Sequence, residues 1–180
     1  MQPRMILVLF LILASTASAQ KAGPAELTAL DYFQIQQLVA KYARAIDTCS
    51  NNGYDYADLF APDGYFAPTI DGKVGLKFQG RERLAEVSGG GAQKCKNVPW
   101  IEEGVHHIYV NHIITPAAEG ATGTVDMLMI GLGGDPDKIE YDGYYEDVYV
   151  RTPAGWRFKS RTHHALLDQG KRVTPKPATR

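Results

Sequence analysis

The sequence of 180 residues has only two cysteines, Cys49 and Cys95, little net charge and, after its first twenty positions, no long apolar run. Each shortage excludes something. Neither cysteine sits in a signature that marks a thiol nucleophile. A formal charge of -1, with no basic stripe before the C-terminal tail, excludes a nucleic-acid surface and a polyanionic partner. No later stretch is apolar enough to cross a membrane. The glycine clusters lack what a phosphate loop needs: SGGGAQ is not followed by Lys-Ser/Thr, and GLGGDPDK follows a strand pattern without opening a helix. No nucleotide cofactor is expected, and the chain has no internal repeat.

What is present begins with MQPRMILVLFLILASTASAQ, a charged start, a short apolar middle and the small residues Ala17-Ser18-Ala19. This is the pattern of a secretory signal peptide over residues 1–19, and it implies a secreted or periplasmic protein without a membrane anchor after cleavage. Loss of Arg4 changes the formal charge from -1 to -2. The remainder has the length of one domain. Residues 20–26 read as a flexible lead-in, 27–170 as the domain and 171–180 as a flexible basic tail. In an oxidising compartment the two cysteines either pair or stay buried thiols; a bond closing a loop of about 47 residues stabilises by roughly 4 kcal/mol on the chain-entropy estimate.

The fold class read from the pattern is α+β. In LTALDYFQIQQLVAKYARAID the residues Ile35, Leu38, Val39, Tyr42 and Ile46 follow one helix face. Tyr54–Phe60 reads as a short helix, 61–64 as a turn, Tyr65–Ala67 as a strand start, Asp71-Gly72 as a turn and Val74–Phe78 as a strand. GRERLAEVSGGG reads as a helix from Gly80 to the glycines. From Val105 onward the period changes. HHIYVNHIITP, ATGTVDMLMIG, IEYDGYYEDVYV and WRFKSRTHHALL are rich in β-branched and aromatic residues and are separated by short turns, so four antiparallel strands are expected in series, covered by helices on one face.

Chemistry is sought where residues stand against their surroundings. Asp47 ends a helix, where backbone carbonyls disfavour a carboxylate by about 0.3–1 kcal/mol unless a positive group answers it. It pairs either with Arg44 one turn back or with a more distant donor. Strict strand alternation puts His107 on a face with Tyr109 and Asn111, and His106 with His112 on the other, about 20 Å apart, too far to share a metal. No metal is expected. His107 is either a core histidine with one satisfied bond or a base oriented by Asp47. Tyr42 is either a core aromatic or a donor to a substrate oxygen. Arg161 alternates with Arg157, Lys159 and His163, either a solvated face or a group that holds an anionic oxygen.

Several phrases carry a resemblance. IQQLVAKYARAID, LFAPDGYF, FQGRERL and WRFKSRTHH, in that order, resemble the SnoaL-like branch of the superfamily that folds like nuclear transport factor 2, over roughly Leu27 to His164. The resemblance extends to dehydratases of the bile-acid and scytalone type and to the hexachlorocyclohexane dehydrochlorinase. It implies a cone of helices on a curved, mainly antiparallel sheet and a site of Asp47, His107, Tyr42 and Arg161. It further implies a cofactor-independent lyase, isomerase or cyclase acting on a small hydrophobic ring compound, in a homodimer or homotrimer. Tyr54, Tyr109, Asp126, Phe33, Phe60, Tyr65 and Trp100 are expected to line the pocket. The other reading is a binding module that holds such a ligand without transforming it, or an assembly protein. The export signal and the loop carrying Cys95 and Trp100 depart from the family pattern.

Overall fold

The computed structural model describes residues 26–70, 73–165, 167–168 and 171–172. The expected signal peptide, most of the expected lead-in and tail, and the expected Asp71-Gly72 turn lie outside them. Helix α1, Ala29–Thr48, starts where the sequence supplies its own cap. The Thr28 hydroxyl accepts the Asp31 amide and the Asp31 carboxylate accepts the Thr28 amide, which satisfies two of the amides that a helix start leaves open. Asp31 also accepts the Trp156 indole N–H and pairs with Arg151, so the helix start is fastened to the sheet. The Thr28 amide, then the Trp156 indole, hold its carboxyl well below the ordinary value of 3.8 against the opposing cost of burial. A depressed folded-state pKa contributes stability above 3.8 that is lost as pH falls below it. Asp31→Asn is therefore expected to lower the thermal unfolding midpoint at pH 7, and the gap to wild type should narrow below about pH 4. Circular dichroism melts across pH check this.

After α1 come a 3-10 turn at Ser50–Gly53, α2 (Tyr54–Ala57), β1 (Phe60–Ile70), β2 (Lys73–Val74), β3 (Phe78–Gln79), α3 (Arg81–Val87) and α4 (Pro99–Glu102). The four long strands follow: β4 (His106–Ala117), β5 (Gly120–Ile130), β6 (Ile139–Thr152) and β7 (Gly155–Ala165). They pair antiparallel in sequence order, and β1 adds to β7 in parallel to give the order β2-β1-β7-β6-β5-β4, with β3 on β1. Leu167–Asp168 and Lys171–Arg172 form a separate two-residue ladder. Helix α1 packs across β4 and β7 and buries Ile35, Leu38, Val39, Tyr42 and Ile46 against the sheet, as its period predicts.

The expected helix to Phe60 and turn at 61–64 are corrected. Helix α2 stops at Ala57, and Phe60 already pairs with Phe158, because the Phe158 amide donates to Leu59 O at 2.9 Å and draws the segment alongside β7. The register shifts between Phe60 and Tyr65 absorb the turn-like residues as an irregularity within the strand. The expected Val74–Phe78 strand is split into β2 and β3.

Bulges decide which side chains face the helices. In β4 the register shifts between Val110 and Ile113, where Asn111 takes φ 53. An extra residue in a strand reverses its alternation beyond that point. His112 and Ile114 thus join His107 and Tyr109 on the helix side, while Asn111 and Ile113 turn outward. The expectation that His106 shares a face with His112, and His107 with Asn111, is corrected accordingly. A shift opposite Val148 and Tyr149 does the same in β7: Trp156 and Phe158 face inward before it, Arg161 and His163 after it. Lys159 reaches outward to Asp63. The solvated-face alternative for Arg161 is excluded, since its side chain is wholly buried.

Candidate active site

The end of α1 meets the start of β4. Asp47 accepts the backbone amide of His107 at 3.1 and 3.2 Å on its two oxygens, and its Oδ1 lies 2.5 Å from His107 Nδ1. Both side chains are nearly enclosed, 9% and 7% exposed. A carboxylate only accepts, so Nδ1 carries the hydrogen and Nε2 of a neutral ring is left with its lone pair. The exposed His106 Nδ1 stands 3.7 Å from the other oxygen. Asp47 is thus answered at the helix end by backbone and imidazole, not by Arg44.

Five residues before Asp47 on the same helix, Tyr42 is completely buried, and its hydroxyl lies 3.0 Å from that of Tyr56. Burial, then the neighbouring Tyr56 and Tyr109, push its pKa well above the ordinary tyrosine value against the pull of Arg161, so it keeps its proton. The guanidinium of Arg161 sits in a cage of rings, with Cζ 4.0 Å from the centres of Tyr42 and Tyr145, 4.8 Å from Phe158 and 4.9 Å from Tyr109. A ring face stabilises a desolvated cation by about 2 kcal/mol or more. Among the described residues its nearest carboxylate is Asp147, 3.6 Å away and likewise wholly buried, and none of its three side-chain nitrogens donates a hydrogen bond to a described residue.

Behind Arg161 a polar chain continues. The Tyr149 hydroxyl donates to Asp147 at 2.7 Å, and His112 Nε2 lies 3.0 Å from the same hydroxyl. Because the Tyr149 hydrogen is used on Asp147, His112 Nε2 must donate. Burial pushes the Asp147 carboxyl up to about 6 against the opposing Arg161 and Tyr149 contacts. Burial, then Arg161, lowers His112 to about 4, so its ring is neutral at pH 7.

The four principal residues read from the sequence are therefore on one side of one sheet, with Asp47 and His107 in contact and Tyr42 in contact with Arg161. Tyr109 and Phe60 are also interior, packed on the Tyr42 ring at 5.8 and 6.4 Å. Five expected lining residues are corrected. Phe33 is 56% exposed on the far side of α1, where it lines a groove of about 660 Å³ with Lys41 and Arg157. The Tyr54 hydroxyl donates to Glu82 on the surface, and Lys77 covers the Tyr65 ring. The Trp100 indole donates to Ile46 O, a tether rather than a wall. Asp126 stands on the outer face and accepts from Asn111, because β5 turns Val125 and Met127 inward.

The acid that faces inward is Asp147, which sequence reading missed along with Tyr145 and Tyr149. Their alternation in YYEDVYV was the available signal: one face of β6 carries Tyr145, Asp147 and Tyr149, all buried. The rings of Tyr42, Tyr109 and Tyr145 pack on one another at 5.6–6.0 Å and close over Arg161. Among the described residues no three metal-binding side chains are gathered together.

A family model described as the SnoaL-like domain matches residues 27–162. The chain belongs to the SnoaL-like domain family. Solved structures agree on the fold. An NTF2-like protein with a cystatin-like fold from Novosphingobium aromaticivorans is 21% identical, covering 76% of this chain and 82% of that one, with a TM-score of 0.59. A candidate scytalone dehydratase from the same organism is 21% identical over 84% of this chain and 95% of its own, at 0.58. ActVI-ORFA from Streptomyces coelicolor is 19% identical over 77% and 98%, at 0.56. A comparison with curated proteins finds no match. Within the SnoaL-like domain, the helices and the mixed, curved sheet form the NTF2-like architecture that the resemblance implied.

Proposed function

We propose that this SnoaL-like domain is a lyase or isomerase for a small hydrophobic ring compound, with His107 as general base. The observation that carries the reading is the Asp47–His107 contact, which dictates a lone pair on Nε2 of a nearly buried imidazole. Nε2 removes a proton from carbon beside an activating carbonyl, and the imidazolium formed is stabilised by Asp47. The C–H electron pair becomes the new π bond. In dehydration the imidazolium gives that proton to the departing β-hydroxyl, which leaves as water; in isomerisation it returns the proton at another carbon. Once the rings packed over Arg161 part to admit the substrate, Arg161 stabilises the negative oxygen that develops, and Tyr42, which keeps its proton, donates to it in place of its contact with Tyr56. These groups need no cofactor for either reaction. The likeness to a candidate scytalone dehydratase supports the dehydratase form.

Within the same proposal the protein is exported after loss of residues 1–19 and assembles as a homodimer or homotrimer through its outer sheet face. That face presents Ile113, 63% exposed, with Ile108 and Val148. A second reading has its own support: the interior is closed by packed rings, with Tyr42 and Arg161 fully enclosed, as suits a module that parts to hold a ligand without transforming it. One experiment separates the two. The enolisable bicyclic ketone 2-tetralone is incubated with the protein in D2O and its α-hydrogen exchange is followed by NMR. Exchange above the buffer rate in wild type and at the buffer rate in His107→Gln supports the base; binding of the ketone with equal, background exchange in both proteins supports the binding module.

A further inference from the structure

We infer that the Cys49–Cys95 disulfide is a positioning element of the site, holding the loop that feeds β4 against the end of α1 so that Asp47 stays on His107. The inference rests on the reading of that pair as base and orienting acid. Cys49 and Cys95 are bonded in the structure, with Cα atoms 6.0 Å apart. Cys49 is the C-cap of α1, two residues beyond Asp47, and is 3% exposed. From Cys95 the chain runs through buried Val98, then Trp100, whose indole donates to Ile46 O at 3.2 Å, then Val105, whose amide donates to Trp100 O at 2.7 Å, and enters β4 at His106. Both ends of the Asp47–His107 contact are therefore anchored by one loop.

The backbone around the bond carries strain that isolated chain would shed. Among the described residues seven non-glycine residues have positive φ, and six of them lie beside the bond: Cys49, Asn51, Asn52, Lys94, Cys95 and Asn97. Such conformations persist only where the surroundings over-determine them. Close packing supplies part of that determination. The Cys95 amide donates to Gly89 O at 2.8 Å and Asn52 Nδ2 to Gly91 O at 3.1 Å, while a Cβ on Gly90 would stand 2.0 Å from Asn52 O. The covalent bond supplies the rest, because it is what joins the two strained segments directly. Nothing in this arrangement touches a reacting atom. Its consequence is geometric, and geometric errors of about 1 Å at a reacting centre cost on the order of a hundredfold in rate.

The test uses the full chain labelled with 15N-histidine. A phosphine reductant gives two electrons to the S–S bond, which becomes two thiols by taking two protons from water, and leaves as its oxide. Long-range proton–nitrogen spectra then report each ring. In the oxidised protein His107 is expected as a single form protonated at Nδ1. After reduction it should exchange between both tautomers, and 2-tetralone exchange should fall about a hundredfold. His112, whose Nε2 hydrogen is held by Tyr149 on β6 and not by the loop, is the internal control and should not change. Cys49→Ser with Cys95→Ser should repeat the result. A reduced protein in which His107 keeps the single Nδ1-protonated form overturns the inference and leaves the active-site reading standing. Collapse of His112 together with His107 also overturns it, since the bond would then be a general stabiliser. An oxidised protein lacking the Nδ1-protonated form overturns the reading itself and the inference with it.

Discussion

His107→Gln lowers turnover by about 10²–10⁴-fold, the span removed with a general base, and leaves the thermal unfolding midpoint close to wild type. The two halves of that expectation have separate causes. Glutamine retains a donor for Asp47, so the acid at the helix end is not left unpaired, and its volume approximates the imidazole. What it lacks is a ring nitrogen able to take a proton near neutral pH. Asp47→Asn should approach the same loss by another route, because its amide can donate to Nδ1 and so favour a hydrogen on Nε2, where the lone pair is needed. Steady-state kinetics of both variants, beside their unfolding curves, separate a missing base from a misdirected one.

Arg161→Met gives the second large effect, and it falls on stability as well as chemistry. Removing one partner of a buried ion pair leaves the other uncompensated, at a cost of about 3–5 kcal/mol. Here the abandoned group is Asp147, whose carboxylate accepts from the Tyr149 hydroxyl. Replacing both partners should be milder. The double variant with Asp147→Asn is expected to recover much of the loss in urea unfolding while activity stays down by about 10²–10³-fold, since the charge that stabilises a developing oxyanion is still gone. Equal stability of Arg161→Met and the double variant would show that the stranded Asp147 carboxylate is not what destabilises Arg161→Met.

The pH profile carries a further sign. The folded-state pKa of Asp147 is raised, so its contribution to stability is complete below 3.8 and is lost as pH rises through about 6. His112 is lowered, so its contribution is complete above 6.5 and is lost as pH falls toward 4. In wild type the two slopes oppose one another over the same window. In Asp147→Asn only the histidine slope remains, which makes acid unfolding steeper between pH 6.5 and 4.

Much of this was legible because it rests on local rules. The α1 stripe, the hairpin strands and the anomaly of an aspartate at a helix end all follow from period and from the helix dipole; they raised Asp47, His107 and Tyr42 as candidates, and the family resemblance joined them with Arg161 into one site. What escaped depended on long-range pairing. The bulges at Asn111 and opposite Val148 and Tyr149 reverse the alternation, so His112 and Arg161 moved inward against the pattern. Parallel pairing with β7 overrode the turn composition of residues 61–64. Asp126 and Asp147 are both acids in mid-strand, and only the register of β5 and β6 distinguishes the outward from the inward one. The disulfide was open in the sequence, because two cysteines in a single chain do not state their distance.

Everything proposed for the site depends on which nitrogen of one ring holds a hydrogen. Nitrogen chemical shifts of His107 in the oxidised wild-type protein at pH 7.5 measure this directly. The account predicts hydrogen on Nδ1 and a bare Nε2, a pattern that Asp47→Asn abolishes. Hydrogen on Nε2 in the wild-type protein contradicts it.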